Sequence, residues 1–320
     1  MKTPRLIKWA AGAALALASV APAWAQYSRL VVFSDSMSDN HRYGAYSKAA
    51  TGSVHPAAPF DNGRFCNGLV AVEDLANGLG IPIQDYAFAG ATSSYGSLIV
   101  VPEGVLTQVN EYLNNNNLIP TITTVPIVSP VLSIALGSGQ ADPKALHLIW
   151  AGPDDYYSGG MNALTAYSAT ANIQQAITSL YNGGARYFFV PTMPDLSITP
   201  SARIHEQQQK GYIASAAKYS AQFSVVLTKG LDSLRAKYPD AHIMSFDTLA
   251  YIKVAIEQAR ASGKNVTDAC FPIDVLNPSK VPGVACSQPD NYLFWDNNHP
   301  TAEANRILAA EWLKAIIVQP

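Results

Sequence analysis

The stretch "LVVFSDSMSDN", residues 30–40, is an apolar run that stops abruptly at a cluster of serines and aspartates. Leu30 to Phe33 have the length and β-branched content of a fully buried strand. Ser34 to Asn40 then bring mostly short polar side chains to its carboxyl end. Open α/β sheets keep their ligand sites at that end of their strands. The same residues also suit the start of a helix, since Ser and Asp side chains accept hydrogen bonds from free backbone N–H groups there. On its own the stretch leaves both readings open.

Four further apolar runs read as strands: Tyr86 to Ala89, Leu146 to Ala151, Tyr187 to Pro191 and His242 to Phe246. Helical spacing of apolar residues recurs over Leu69 to Leu79, Val105 to Leu113, Leu164 to Tyr181, Glu206 to Lys237, Thr248 to Ala261 and Ala302 to Ile317. Strands alternating with helices predict an α/β fold, with a mainly parallel sheet of about five strands covered on both faces. A single domain is expected over 26–320. Residues 114–143, rich in Pro and Thr yet apolar, carry no helical period and are expected to form a lid or an insertion.

Lys2, Arg5 and Lys8, then an apolar run from Trp9 to Val20, then Ala23 and Ala25 in a small-x-small pattern, make residues 1–25 a secretory signal with cleavage expected after Ala25. The mature chain is then exported, to the periplasm or beyond. Loss of the leader takes the formal net charge from −2 to −5. With no basic cluster remaining, nucleic acid is not expected as a partner. No later stretch has the unbroken apolar length of a membrane span. Charged residues are only 14% of the chain, well below the usual quarter, so the surface relies on Ser, Thr, Asn, Gln and Tyr. Such a surface tolerates an apolar ligand. Export permits a disulfide, and Cys270 and Cys286 flank a short Pro- and Gly-containing loop that one would close. Cys66 is left as a buried small residue.

Polar stations follow successive strands: Ser36, then Gly90 in "FAGATS", then Asp154 and Asp155 in "WAGPDDYY". Near the C-terminus, "DNNHP" sets Asp296 three residues before His299. Nucleophilic acyl transfer needs a hydroxyl beside a base, a carboxylate that orients the base, and donors aimed at the developing oxyanion. Each part has a candidate here. Asp296 and His299 alone would also fit a helix cap or half of a metal site. No G-x-S-x-G elbow is present, which counts against an α/β-hydrolase fold.

Taken together, these blocks resemble the GDSL-type esterases of the SGNH hydrolase superfamily over nearly the whole mature chain. "FSDSMSDN" is similar to the family's "FGDSLSDxG", "YAFAGATS" to its second block, "GPDD" to "GxND" and "DNNH" to "DxxH". "NGRFCNGLVAVEDLA" is similar to its "GRFSNGxxWxExLA". The resemblance implies a flavodoxin-like three-layer α/β/α sandwich. It implies Ser36 as nucleophile, His299 as base and Asp296 as its orienter, and the N–H groups of Ser36 and Gly90 as oxyanion donors. It implies a small-molecule or lipid ester as substrate and no cofactor or metal. Asp35 and Asp39 are expected to brace the Ser36 turn. Two positions depart from the pattern: Ser34 replaces a glycine, and Asp154 replaces the oxyanion-hole asparagine. An ionised carboxylate would repel an oxyanion, so Asp154 must be protonated, or be replaced by another donor, or leave the enzyme slow. Three further functions stay open on the sequence. The first is acyl transfer to an alcohol with the same triad. The second is a non-catalytic binding protein. The third is a metal-dependent phosphoesterase built from Asp35, Asp39, Asp154, Asp155 and His299.

Overall fold

The structure, a computed structural model, describes residues 27–99, 101–114, 140–160, 162–273 and 283–318. The expected signal segment and most of the expected lid or insertion lie outside the described residues. In chain order the elements are β1 (Leu30–Ser34), α1 (Arg42–Thr51), α2 (Ala71–Leu79), β2 (Ile83–Asp85), α3 (Val105–Asn114), β3 (Leu146–Trp150), α4 (Pro153–Gly159), α5 (Ala163–Asn182), β4 (Tyr187–Pro191), α6 (Pro200–Gln208), α7 (Tyr212–Lys237), β5 (His242–Phe246), α8 (Thr248–Ala261), β6 (Asn265–Ala269), β7 (Tyr292–Phe294) and α9 (Ala302–Val318).

Strands β1 to β5 form one sheet in the order β2-β1-β3-β4-β5, and every pairing is parallel. Strand β1 is buried throughout, and alternate residues serve opposite faces. Val31 and Phe33 pack with Ile149, Phe188 and helices α3, α5 and α7. Leu30 and Val32 pack with Leu148, Phe189 and helices α2 and α9, where Trp312 stands edge-on to Trp150. A strand covered on both sides needs apolar residues at consecutive positions, which is why β1, β3 and β4 read as continuous runs. The result is a three-layer α/β/α sandwich with flavodoxin-like strand order. After β1 the chain turns to one side for β2 and later to the other for β3, so a crevice opens beyond the carboxyl ends of β1 and β3.

Some boundaries differ from expectation. The second strand is Ile83–Asp85, not Tyr86 to Ala89. The N–H groups of Tyr86 and Phe88 still reach the β1 carbonyls of Val32 and Ser34, but Ala87 donates to the Asp85 side chain and Ala89 to the Asp39 side chain, so the ladder lapses. The helix expected over 206–237 is two helices. Glu206 accepts from the N–H groups of Gly211 and Ile213, and Gly211 takes a φ of 91°, a left-handed conformation that favours glycine, so a second helix starts there. Helices α1 and α4 and the separate two-stranded sheet of β6 and β7 were not anticipated. Cys270 and Cys286 are disulfide-bonded at the end of β6, with Cα atoms 4.9 Å apart, and Cys66 is free and buried.

Candidate active site

At the end of β1 the chain makes a tight turn in which the N–H groups of Ser38 and Asp39 both donate to the Asp35 carbonyl, while the Met37 N–H donates to the Asp35 side chain. This turn lifts Ser36 to the surface of the crevice. Ser34 holds the strand end below it: its hydroxyl donates to the Trp150 carbonyl on β3 at 2.6 Å, and the buried Gln108 amide bonds both its N–H and its C=O. A hydroxyl with a partner on the neighbouring strand explains why Ser serves where a glycine was expected.

Ser36 Oγ lies 2.7 Å from His299 Nε2. His299 Nδ1 lies 2.8 Å from Asp296 Oδ2 and 2.9 Å from Oδ1. Asp296 is fully buried, and its Oδ1 also accepts from the N–H groups of Asn298 and His299, each at 2.7 Å. The three-residue spacing thus closes a turn on its own carboxylate. Because a carboxylate accepts, Nδ1 carries the ring proton and the Nε2 lone pair faces the Ser36 hydroxyl. A hydroxyl, an imidazole and a carboxylate aligned in this way can withdraw the serine proton as the oxygen attacks an electrophile.

Around this line the blocks are tied together by buried acids. Asp39 accepts from the N–H groups of His41, Arg42, Tyr43 and Ala89, which joins the start of α1 to the loop that carries Gly90. Asp155 accepts from both the N–H and the hydroxyl of Ser93, which joins α4 to that same loop. Gly90 has a φ of 81°, and its N–H, like that of Ser36, donates to nothing among the described residues. Asp154, at the start of α4, is 5% exposed and one of its oxygens has no partner. Burial first, then the neighbouring Asp35 and Asp155 carboxylates, hold its acid group well above the usual range. Burial also raises Asp35 to about 7 and Asp155 to about 6. Among the described residues no three His, Cys, Asp or Glu side chains are grouped so as to hold a metal ion.

The structure brings Ser36, Gly90, Asp154 and His299 onto one cavity of about 390 Å³, with Asp296 behind the imidazole. Sequence reasoning missed what backs His299. The Phe65 ring packs on the imidazole at 5.1 Å, the Cys66 thiol sits 3.5 Å from the Pro300 carbonyl, and Asn67 Oδ1 accepts from the Ala302 N–H to cap α9. Burial pushes the Cys66 thiol up to about 12, so it packs and does not react. Arg64 makes a two-pronged bond to Glu73 that anchors this segment on α2. The motif "GRFCNG…E" was the available signal, but its partners lie more than two hundred residues away in the chain.

Comparison with known proteins accounts for this ordered set of blocks. The model of the GDSL-like Lipase/Acylhydrolase family matches residues 30–312, and the chain belongs to that family. It is 26% identical, over its whole length, to a Pseudomonas putida protein described by its place in the trpE-trpG intergenic region, of which it spans 53%. It is 27% identical to the GDSL esterase/lipase APG of Arabidopsis thaliana, over 77% of each chain. Over 55% of its length it is 31% identical to the phosphatidylcholine-sterol acyltransferase of Aeromonas hydrophila, of which it spans 48%.

Proposed function

We propose that this member of a hydrolase family is an exported serine esterase that cleaves carboxylic esters through an acyl-enzyme on Ser36. The observation that carries the reading is the unbroken line from Ser36 Oγ to His299 Nε2 at 2.7 Å and from His299 Nδ1 to Asp296 at 2.8 Å, beside a cavity. Ser36 Oγ attacks the ester carbonyl carbon while its proton passes to His299 Nε2, and the carbonyl oxygen becomes an oxyanion. Asp296 keeps the imidazole oriented and stabilises it when charged. The oxyanion then collapses, the bond to the alcohol oxygen breaks, and that oxygen takes the proton from His299. Water repeats the sequence in reverse: it gives a proton to His299, attacks the acyl carbon, and releases the acid with Ser36 reprotonated.

The free N–H groups of Ser36 and Gly90 are the oxyanion donors in this reading, and neutral Asp154 supplies a third through its O–H. A carboxylic acid kept neutral in an apolar site donates a hydrogen bond as an amide does. The disulfide supports an oxidising, extracytoplasmic destination. No helix among the described residues is long and apolar enough to cross a membrane. Acyl transfer to an alcohol uses the same acyl-enzyme with an alcohol in place of water, and the name of the Aeromonas relative favours testing it.

Ser36→Ala and His299→Ala are each expected to lower kcat on p-nitrophenyl esters by about 10³-fold or more while leaving the circular dichroism spectrum unchanged. Asp296→Asn should lose less. A Ser36→Ala protein that hydrolyses esters at the wild-type rate would refute the assignment. Adding an alcohol to the wild type and separating acid from new ester measures how the acyl group is divided between water and alcohol.

A further inference from the structure

The cavity at Ser36 does not end there. One arm continues between α8 and α9, over the edge of the sheet, where α8 presents Ile252, Ala255 and Ala259, β7 presents Leu293, and α9 presents Ile307 and Leu308. These α8 positions recur at helical spacing, on a face that adjoins the buried Leu249 and Ile256. Ile307, which lines this gap, is 38% exposed. The arm runs from Thr248 to Ser262, the full span of α8, about 20 Å at the rise of a helix. Its walls are mainly apolar, and at its far end the Lys264 ammonium donates to the Asp290 carbonyl at 2.9 Å and stands 4.0 Å from Glu303.

Resting on the esterase reading above, we infer that the arm between α8 and α9 holds the acyl chain of the substrate, so that the enzyme is selective for esters of medium to long fatty acids. Two observations support this. The arm begins at the reacting serine, so a chain lying in it is covalently continuous with the acyl carbon. Its length and apolar walls suit a single alkyl chain, whose burial is favourable in proportion to its area. Contacts on the acyl side act in both acylation and deacylation, whereas contacts on the alcohol would hold the first product back.

The test is kcat/KM for p-nitrophenyl acetate, hexanoate, decanoate and laurate. For the wild type it should rise with chain length, by up to about four-fold per buried methylene. Ala255→Phe and Ala259→Phe, which fill the arm, should lower the decanoate-to-acetate ratio at least about ten-fold. Val254→Phe, on the solvent face of the same helix, should keep the wild-type profile. As a measurement that needs no variant, laurate should inhibit acetate-ester hydrolysis by the wild type competitively and far more tightly than butyrate does. A flat profile, unchanged ratios in both filled variants, or a length dependence that follows the alcohol in a series of alkyl acetates would overturn the inference while leaving the esterase reading intact. Failure to hydrolyse any ester would instead overturn the esterase reading itself.

Discussion

Asp154 is the residue at which family pattern and local chemistry pull apart. Its burial next to Asp35 and Asp155 keeps the proton on, one of its oxygens is buried with no partner, and the residue lines the cavity. On the esterase reading this acid donates to the oxyanion only while protonated, so its contribution fades as pH rises through its elevated pKa. An amide donates at every pH. Asp154→Asn is therefore expected to raise kcat, with the variant-to-wild-type ratio increasing toward alkaline pH. Complete pH profiles of both proteins on one soluble ester decide the matter: parallel curves, or a variant slower throughout, would show that the Asp154 O–H does not donate to the oxyanion. The expectation from sequence that Asp35 and Asp39 brace the turn agrees with their hydrogen bonds to Met37, Arg42 and Ala89.

At the scale of elements, the two-stranded sheet of β6 and β7 positions Asp296 and His299. Strand β7 leads directly into Asp296 and His299. The backbone of the flanking loop is held by bonds from Cys270 to Phe294, from Phe271 to Trp295 and from Asn297 to Ile273. The Cys270–Cys286 bond fastens the end of β6 to the segment that enters β7, above a small aromatic cluster of Phe60, Phe271 and Trp295. Closing a loop of 16 residues' separation stabilises by about 3 kcal/mol in the chain-entropy model. Reduction, or replacement of both cysteines by Ser, should lower Tm by about 5–10 °C. It should also reduce kcat, since Asp296 and His299 lose their tether. Differential scanning calorimetry with and without reductant checks the first part, and an unchanged Tm would mean that the disulfide adds no stability.

For the whole molecule, three buried acids below one site make stability depend on pH. Asp35 at about 7, Asp155 at about 6 and Asp154 well above the usual range all keep protons that the unfolded chain releases above about pH 4. Folded pKa values above unfolded ones contribute stability that is fully present at low pH and lost as pH rises through the folded values. Tm should therefore fall between about pH 5 and about pH 8. Asp154→Asn, which has no proton to lose, should fall less steeply. Equal slopes for the two proteins would contradict the burial argument.

What the sequence determined by itself was whatever depends on neighbours along the chain. Doubly buried strands announce themselves as unbroken apolar runs, so β1, β3 and β4 were legible, and the Asp296-x-x-His299 turn closes on its own backbone. The edge strand β2 was misplaced because side chains of Asp85 and Asp39 compete for its backbone donors, a contest decided by packing. The sheet of β6 and β7 was missed because its strands are short, half-exposed and lack a strong apolar signal. Only the tertiary structure brought Ser36 within 2.7 Å of a histidine 263 residues away and set Phe65 and Asn67 behind it. It alone left the gap between α8 and α9 open to the serine. Local hydrogen bonding and periodicity act over a few residues and can be read in order. The meeting of distant segments is set by how apolar faces pack, and no single segment contains that information.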